Sequence, residues 1–393
     1  MDVHRDHVAR IRVLVILCAI ANADCISKMI SSTLACSRYE SEQIQMILLL
    51  DALNLFEFSS QKLKLPYVVG RFNSDRKFDI EKMSNSWCIE YLRFEKDHVI
   101  ELAELLKIPS TFRYKYRAKP TTALAVLLFR LSYPQRLKQA MEVFHHERGW
   151  LSTIFNDVCN YLNNRYEQRQ FWDEQRLTSM TLTNYCNAIQ AHGEPSGKIW
   201  GFIDGTHKFI CRPKKNVADQ RYFYSGYKKD HTMVFQGVTT PDGLISSISG
   251  PFEGRMSDWG IWVESKLQNK LLAHAFKANG EEIFLYGDGA YTLQRGILGS
   301  YRAAPNTELS AQQKFFNTSM SRRRICVEWS FGKVSQLWGY TSYKRGMKLG
   351  LSPVGTYYRV AIFLTNCHTC YYGSNTSMYF KCAPPTIHDY LNL

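Results

Sequence analysis

The chain has 393 residues, of which 45% are hydrophobic and 21% charged. That composition excludes wholesale disorder, collagen and coiled coil, and it allows a large core in two or three domains. Lys and Arg number 49 against 35 Asp and Glu, a net charge of +14, and an excess of this size points to a polyanionic partner, most simply nucleic acid.

The first stretch, residues 1–84, holds apolar pieces but no motif. Its longest apolar run, Val13 to Ala21, falls well short of the ~18–20 residues that span a bilayer, so no membrane helix is expected. Arg5, Arg10 and Arg12 before that run and Ala21-Asn22-Ala23 after it have the outline of a secretory signal. Asp2 and Asp6 speak against it, and a buried first helix is the plainer reading. Lys62 to Pro66 and Asn73 to Lys77 read as linker. The eleven cysteines are scattered and odd in number, which suits a reducing compartment rather than a disulfide scaffold.

Residues 85–175 carry helical patterns. Phe94 to Leu106 places Val99, Leu102, Leu105 and Leu106 on one face. Pro120 opens a helix through Leu131, and Ser132-Tyr133-Pro134 breaks it. Leu137, Ala140, Met141 and Phe144 then follow the spacing of one buried stripe. After a polar turn, His145 to Gly149, the last helix has Trp150, Leu151, Ile154, Phe155, Val158, Tyr161 and Leu162 on its apolar side. Thr153, Asn156, Asn160, Asn163 and Asn164 lie on the other. Two helices around a tight turn give the outline of a helix-turn-helix, with amide side chains set to read base edges. A plain helical bundle with a solvated polar face stands beside it as the alternative.

Beyond residue 195 the texture becomes β. Ile199 to Ile203 is an apolar strand that ends at Asp204-Gly205. His231 to Thr240 and Leu244 to Ser249 flank the turn Pro241-Asp242-Gly243, a hairpin. Ser257 to Leu267 reads as helix, Ile283 to Tyr286 as a strand ending at Gly287-Asp288-Gly289, and Ser321 to Trp338 as helix. The order gives an α/β domain with a mixed sheet over 195–370, preceded by the helical domain of 85–175 and followed by a tail, 371–393.

Three acids carry the chemistry of this pattern. Asp204 and Asp288 are each placed at the carboxyl end of a buried strand, where α/β ligands bind. Glu328 lies within Arg322 to Gly332, and helical spacing puts Gly332 and Ser335 on its face. A glycine at 332 would let that helix lie close to the sheet. Three converging carboxylates repel one another unless a cation joins them, and hard oxygen ligands suit Mg²⁺ or Mn²⁺. Two such ions would stabilise the attacking and leaving oxygens of a phosphoryl displacement.

Phe202-Ile203-Asp204-Gly205-Thr206-His207, Tyr286-Gly287-Asp288-Gly289-Ala290-Tyr291 and Arg324 to Gly332 resemble, in order, the three motif blocks of the PIF/Harbinger DDE transposases. Gly254-Arg255-Met256-Ser257-Asp258 is similar to a further block of that family, with Ser257 where the family often has His. Asp288 and Glu328 stand 40 positions apart, which suits the family. The resemblance covers about residues 90 to 370. It implies an RNase H-like fold, a metal-dependent nuclease that cuts at transposon ends and transfers strands, and a nuclear location. It also implies that Asp204, Asp288 and Glu328 form the catalytic, metal-holding triad, with Asp258 as an auxiliary acid. A separately encoded Myb/SANT-like helper is implied as well, and holding two DNA ends together calls for a homo-oligomer. The rival reading is a domesticated descendant that binds DNA or docks proteins without cutting.

Basic residues supply a candidate DNA surface. Lys208, Arg212, Lys214, Lys215, Arg221, Lys228 and Lys229 follow the first acid, interleaved with Tyr222, Phe223, Tyr224 and Tyr227. Arg322, Arg323 and Arg324 precede Glu328. Such cations contact phosphates, and aromatics stack on unpaired bases. His207 reads as structural. Cys367-x2-Cys370, with Cys382 and His388 downstream, has zinc-like spacing, although the apolar run Val360 to Leu364 places the pair on a buried helix.

Overall fold

A computed structural model describes residues 77–213 and 217–392. The secretory-signal reading, the linkers before residue 77 and the basic residues Lys214 and Lys215 lie outside them.

The helical segment contains α1 (Asn85–Leu92), α2 (Lys96–Leu105), α3 (Pro120–Ser132), α4 (Leu137–Phe144), α5 (Arg148–Phe171) and α6 (Ser179–Ala191). Pro120 stands at the first turn of α3, where its missing N–H costs nothing, and ten of the thirteen residues of that helix are buried. The α/β segment follows as β1 (Ile199–Phe209), α7 (Val217–Phe223), β2 (Tyr224–Ser225), β3 (Asp230–Thr239), β4 (Ile245–Glu253), α8 (Asp258–Ser265), α9 (Leu267–His274), β5 (Phe284–Tyr286), β6 (Ile297–Leu298) and α10 (Ala311–Leu337). Helices α11 (Val354–Tyr372), α12 (Asn375–Phe380) and α13 (Ile387–Leu391) close the chain.

The sheet is mixed. β1 and β4 flank β3 and are antiparallel to it, while β5 and then β6 run parallel to β1 on its other side. Short β2 also pairs with β3. Helices cover both faces. Trp200, Ile203 and Val238 pack with Trp262, Leu267 and Leu271 of α8 and α9. Ile199, Phe202 and Tyr286 pack with Met320, Cys326 and Val327 of α10. This mixed α/β arrangement is consistent with an RNase H-like catalytic domain.

The helical segment does not enclose a core of its own. Residues of α1 to α5 share one apolar cluster with Met233 and Phe235 of β3, Ile245 and Ile248 of β4, and the buried face of α11. The expected boundary near 175–195 therefore separates two textures of sequence but not two cores. It is bridged by α6, a helix absent from the sequence pattern above.

Three local expectations change in the same way. The α4–turn–α5 outline is present, but the amide face is not free to read bases. Thr153 and Asn163 are buried, and Asn156 accepts a hydrogen bond from the Tyr357 hydroxyl at 2.6 Å; Asn160 and Asn164 remain exposed. The helix expected over Ser257 to Leu267 breaks at Lys266, which adopts a left-handed conformation between α8 and α9. α10 begins ten residues before Ser321, because Ser310 and Gln313 close a capping box there.

Candidate active site

β1 does not end at Asp204. It runs on to Phe209, and what ends near Asp204 is the pairing of β1 with β5. The last parallel partners are Phe202 and Tyr286, so Asp204 and Asp288 each stand two residues beyond the same rung. Asp288 turns the chain there, accepting a hydrogen bond from the Ala290 amide at 2.8 Å.

Alternation along β1 then sends neighbouring residues to opposite faces. Asp204 faces α10, where its Oδ2 accepts from Arg324 at 2.9 Å while its Oδ1 accepts from the Gly205 amide at 2.9 Å. Gly205 faces α8. A Cβ at position 205 would lie 2.1 Å from Oδ1 of Asp258, so only a glycine lets the first residue of α8 come this close to the strand. Ser257 fixes that end of the helix, its hydroxyl accepting from the Gly260 amide at 3.2 Å.

Asp258 thus comes near enough to the two strand aspartates for their charges to act on it, and Asp288 acts in turn on Asp204. Burial, followed by the charges of Asp204 and Asp288, pushes the Asp258 carboxyl up to about 6. Burial also raises Asp204, with Asp288 adding to the rise, against the lowering influence of Arg324 and the Gly205 amide. Arg324 and Lys228 are the cations acting on Asp258.

Glu328 is not drawn into this trio. Its neighbour one turn earlier, Arg324, takes the position against Asp204, and Glu328 is exposed. It lines a cavity of about 530 Å³ with Trp329, Lys333 and His368. The acid that the structure adds to the two strand aspartates is Asp258. The close approach expected from Gly332 is made elsewhere: nothing lies within 4 Å of a Cβ there, whereas the Phe331 ring would meet one at Gly237 at 2.9 Å. Gly237 pairs with Asp204 in the sheet, so this contact seats α10 over the first aspartate.

Residues 203–366 match the family model of a DDE superfamily endonuclease. The matched segment contains Asp204, Asp258, Asp288, Arg324 and Glu328, and it leaves α1 to α6 outside. No curated protein and no solved structure matches the chain. The endonuclease segment supports a nuclease-type activity, and its superfamily typically works with divalent metal ions.

The donor chemistry of the aspartate trio fits such an ion: burial and neighbouring carboxylates raise Asp204 and Asp258, and a guanidinium already answers Asp204. Among the described residues, however, no three His, Cys, Asp or Glu side chains converge closely enough to hold an ion, and Asp204 is paired with Arg324. The zinc-like cysteines likewise do not converge. Cys367 is buried in the core, and His388 faces Glu101 at 3.2 Å. No helix among the described residues is long and apolar enough to cross a membrane.

The basic candidates of the endonuclease segment sort into two kinds. Lys208 is buried at 7% exposure, its ammonium 4.3 Å from the centre of the Tyr358 ring and 3.3 Å from the Ser335 hydroxyl. Arg323 is spent on carbonyls, donating to Ser319 and to His192 at the end of α6. Neither offers its charge to an outside partner. Arg212, Lys228, Lys229 and Arg322 are exposed, although Arg212 also donates to the Gln220 side chain at 2.9 Å. Beside them, Lys228 lies over the exposed Tyr227 ring and Arg255 over Tyr222. His207 is structural in kind, its Nδ1 3.0 Å from the Thr232 hydroxyl.

Proposed function

We propose that the protein is a metal-dependent DNA endonuclease of the PIF/Harbinger transposase type, acting at DNA ends and transferring strands. The observation that carries this reading is the nearness of Asp258 to Asp204 and Asp288, the two aspartates just past the last parallel rung of β1 and β5, inside the segment that matches the DDE endonuclease model. Asp204, Asp258 and Asp288 would hold Mg²⁺ or Mn²⁺, two ions in the family's manner, and the resemblance adds Glu328 to the set. Bound there, the ions would stabilise charge on the phosphoryl oxygens and ease deprotonation of the attacking water.

The chain itself supplies the rest. Exposed Lys228, Lys229 and Arg322 are offered to phosphates, and Tyr224 and Tyr227 offer exposed rings to unstacked bases. Arg324 opposes the rise that burial imposes on Asp204 and donates to its Oδ2. In the first reaction water attacks a phosphodiester, the bond from phosphorus to the 3′ oxygen breaks, and that oxygen leaves as a hydroxyl. In the second, the freed 3′ hydroxyl attacks a target phosphodiester, its new bond to phosphorus replacing the bond to the target's own 3′ oxygen, which leaves as a hydroxyl; holding two ends for this step calls for an oligomer, and a nuclear location belongs to the same proposal. A Myb/SANT-like helper is part of this proposal, because the amide face of α5 is partly buried and base readout falls to another chain.

Nicking of supercoiled plasmid with Mg²⁺, Mn²⁺ or EDTA tests the reading. Metal-dependent nicking that disappears in Asp288→Ala supports it, and Glu328→Ala beside Asp258→Asn shows which acid completes the set. Salt-sensitive DNA binding without nicking would put the domesticated, non-cutting module in its place.

A further inference from the structure

Inside β3 one residue breaks an apolar run: Gln236, between Phe235 and Gly237. It pairs with Gly205 across the sheet and so shares the face on which Asp258 approaches. Its side-chain amide donates twice, to the backbone carbonyl of Asp258 at 3.1 Å and to the Tyr291 hydroxyl at 2.9 Å. One buried group therefore ties together the central strand, the first residue of α8 and the loop that follows Asp288. Gln236 is 2% exposed, and its own carbonyl oxygen has no hydrogen-bond partner among the described residues. An aliphatic side chain would suit this core better, because an unmet buried acceptor is destabilising. What the amide adds is its pair of donated bonds.

Tyr291 is held as firmly. It is 2% exposed, its ring stands edge-on to Trp262, and a Cβ at Gly287 would lie 2.2 Å from it. The phenol oxygen accepts from Gln236, and no acceptor for the phenol's own proton lies among the described residues. Burial pushes this phenol up, and the charges of Asp258, Asp204 and Asp288 add to the rise.

We infer that Gln236 and Tyr291 are positioning residues, a brace that fixes Asp258 against the two strand aspartates and thereby sets how tightly the cluster takes a divalent cation. The inference rests on the nuclease reading and deepens it. Groups that orient metal-holding side chains typically alter metal affinity or activity about 10–100-fold when removed.

The test is Mn²⁺ binding to the purified full chain, followed by electron paramagnetic resonance, for wild type, Tyr291→Phe, Gln236→Met and the double variant. Each single substitution is expected to raise the half-saturating Mn²⁺ concentration about 10-fold or more. Because the two act through one contact, the double variant is expected to be no worse than the weaker single. Plasmid nicking should fall in kcat about 10–100-fold while DNA affinity stays unchanged. Tyr291→Phe keeps the ring and its packing, so it carries the test even if Gln236→Met fails to fold. Wild-type Mn²⁺ affinity in Tyr291→Phe, or additive losses in the double variant, would overturn the brace alone. Absence of Mn²⁺ binding by the wild-type chain would overturn the nuclease reading and the brace with it.

Discussion

Asp204 and Asp242 each precede a glycine in the α/β segment, and each has an arginine partner, yet they sit in opposite electrostatic settings. Asp242 caps the β3–β4 turn at 2% exposure. Its Oδ1 accepts from the Thr240 hydroxyl at 2.6 Å and the Leu244 amide at 3.2 Å, and its Oδ2 accepts from Tyr185 at 2.5 Å and Arg176 at 3.4 Å. Donors surround it and the network is closed. Asp204 has one guanidinium and one amide, and two further carboxylates crowd it from Asp258 and Asp288. A closed set of donors around a buried carboxylate makes it part of the scaffold. An excess of carboxylates over cations leaves a position that a cation from outside can fill.

This contrast can be broken by substitution. Asp204→Asn or Asp288→Asn is expected to lower plasmid nicking by about 10³-fold or more with DNA binding retained, because groups that act as a unit fail together. Asp242→Ala is expected to lower unfolding stability by about 3–5 kcal/mol, since it strands Arg176 as a buried charge. Urea titration reads that loss, and nicking per folded molecule should be unchanged. Equal stability losses at Asp204 and Asp242 would erase the distinction.

Lys208 sharpens it from the side of the cations. Burial depresses its amine from 10.5 to about 8. Below pH 8 both folded and unfolded chains carry the charge, and the folded one bears the full cost of burying it. Between pH 8 and 10.5 the unfolded chain binds more protons, so stability rises with pH in that window. Lys208→Met is therefore expected to stabilise the protein at pH 7, by up to about 3 kcal/mol, and to leave DNA affinity unchanged. Thermal melts across pH and a DNA-binding isotherm check both. The smallest effect is expected at the surface. Lys228→Ala or Arg322→Ala should weaken DNA binding modestly and reduce the salt slope by about 0.7–0.9 each.

How much of this was legible in the sequence differs by region. The neighbouring placement of Asp204 and Asp288 was, because each follows a short apolar run, although β1 continues past Asp204 to Phe209 and only its pairing with β5 ends there. The mixed sheet followed from the order of apolar runs and the Pro241-Asp242-Gly243 turn. The shared core was not legible. Amphipathic helices announce that they bury a face, but not what covers it, and α5 turned out to lie over β4. Lys208 and Arg323 looked like their exposed neighbours because a basic residue's partner is a tertiary fact; Ser335 is 127 positions from Lys208 and His192 is 131 from Arg323. Asp258 was visible only as a motif match. Its place in the trio depends on Gly205 across the sheet. Gln236 left one faint sign, a lone amide in an apolar strand.

The most direct test of the central claim compares wild type with Asp204→Asn for DNA binding and plasmid nicking in Mg²⁺. The account predicts that both bind, that only wild type nicks, and that EDTA abolishes the nicking. Nicking by Asp204→Asn at the wild-type rate would contradict it.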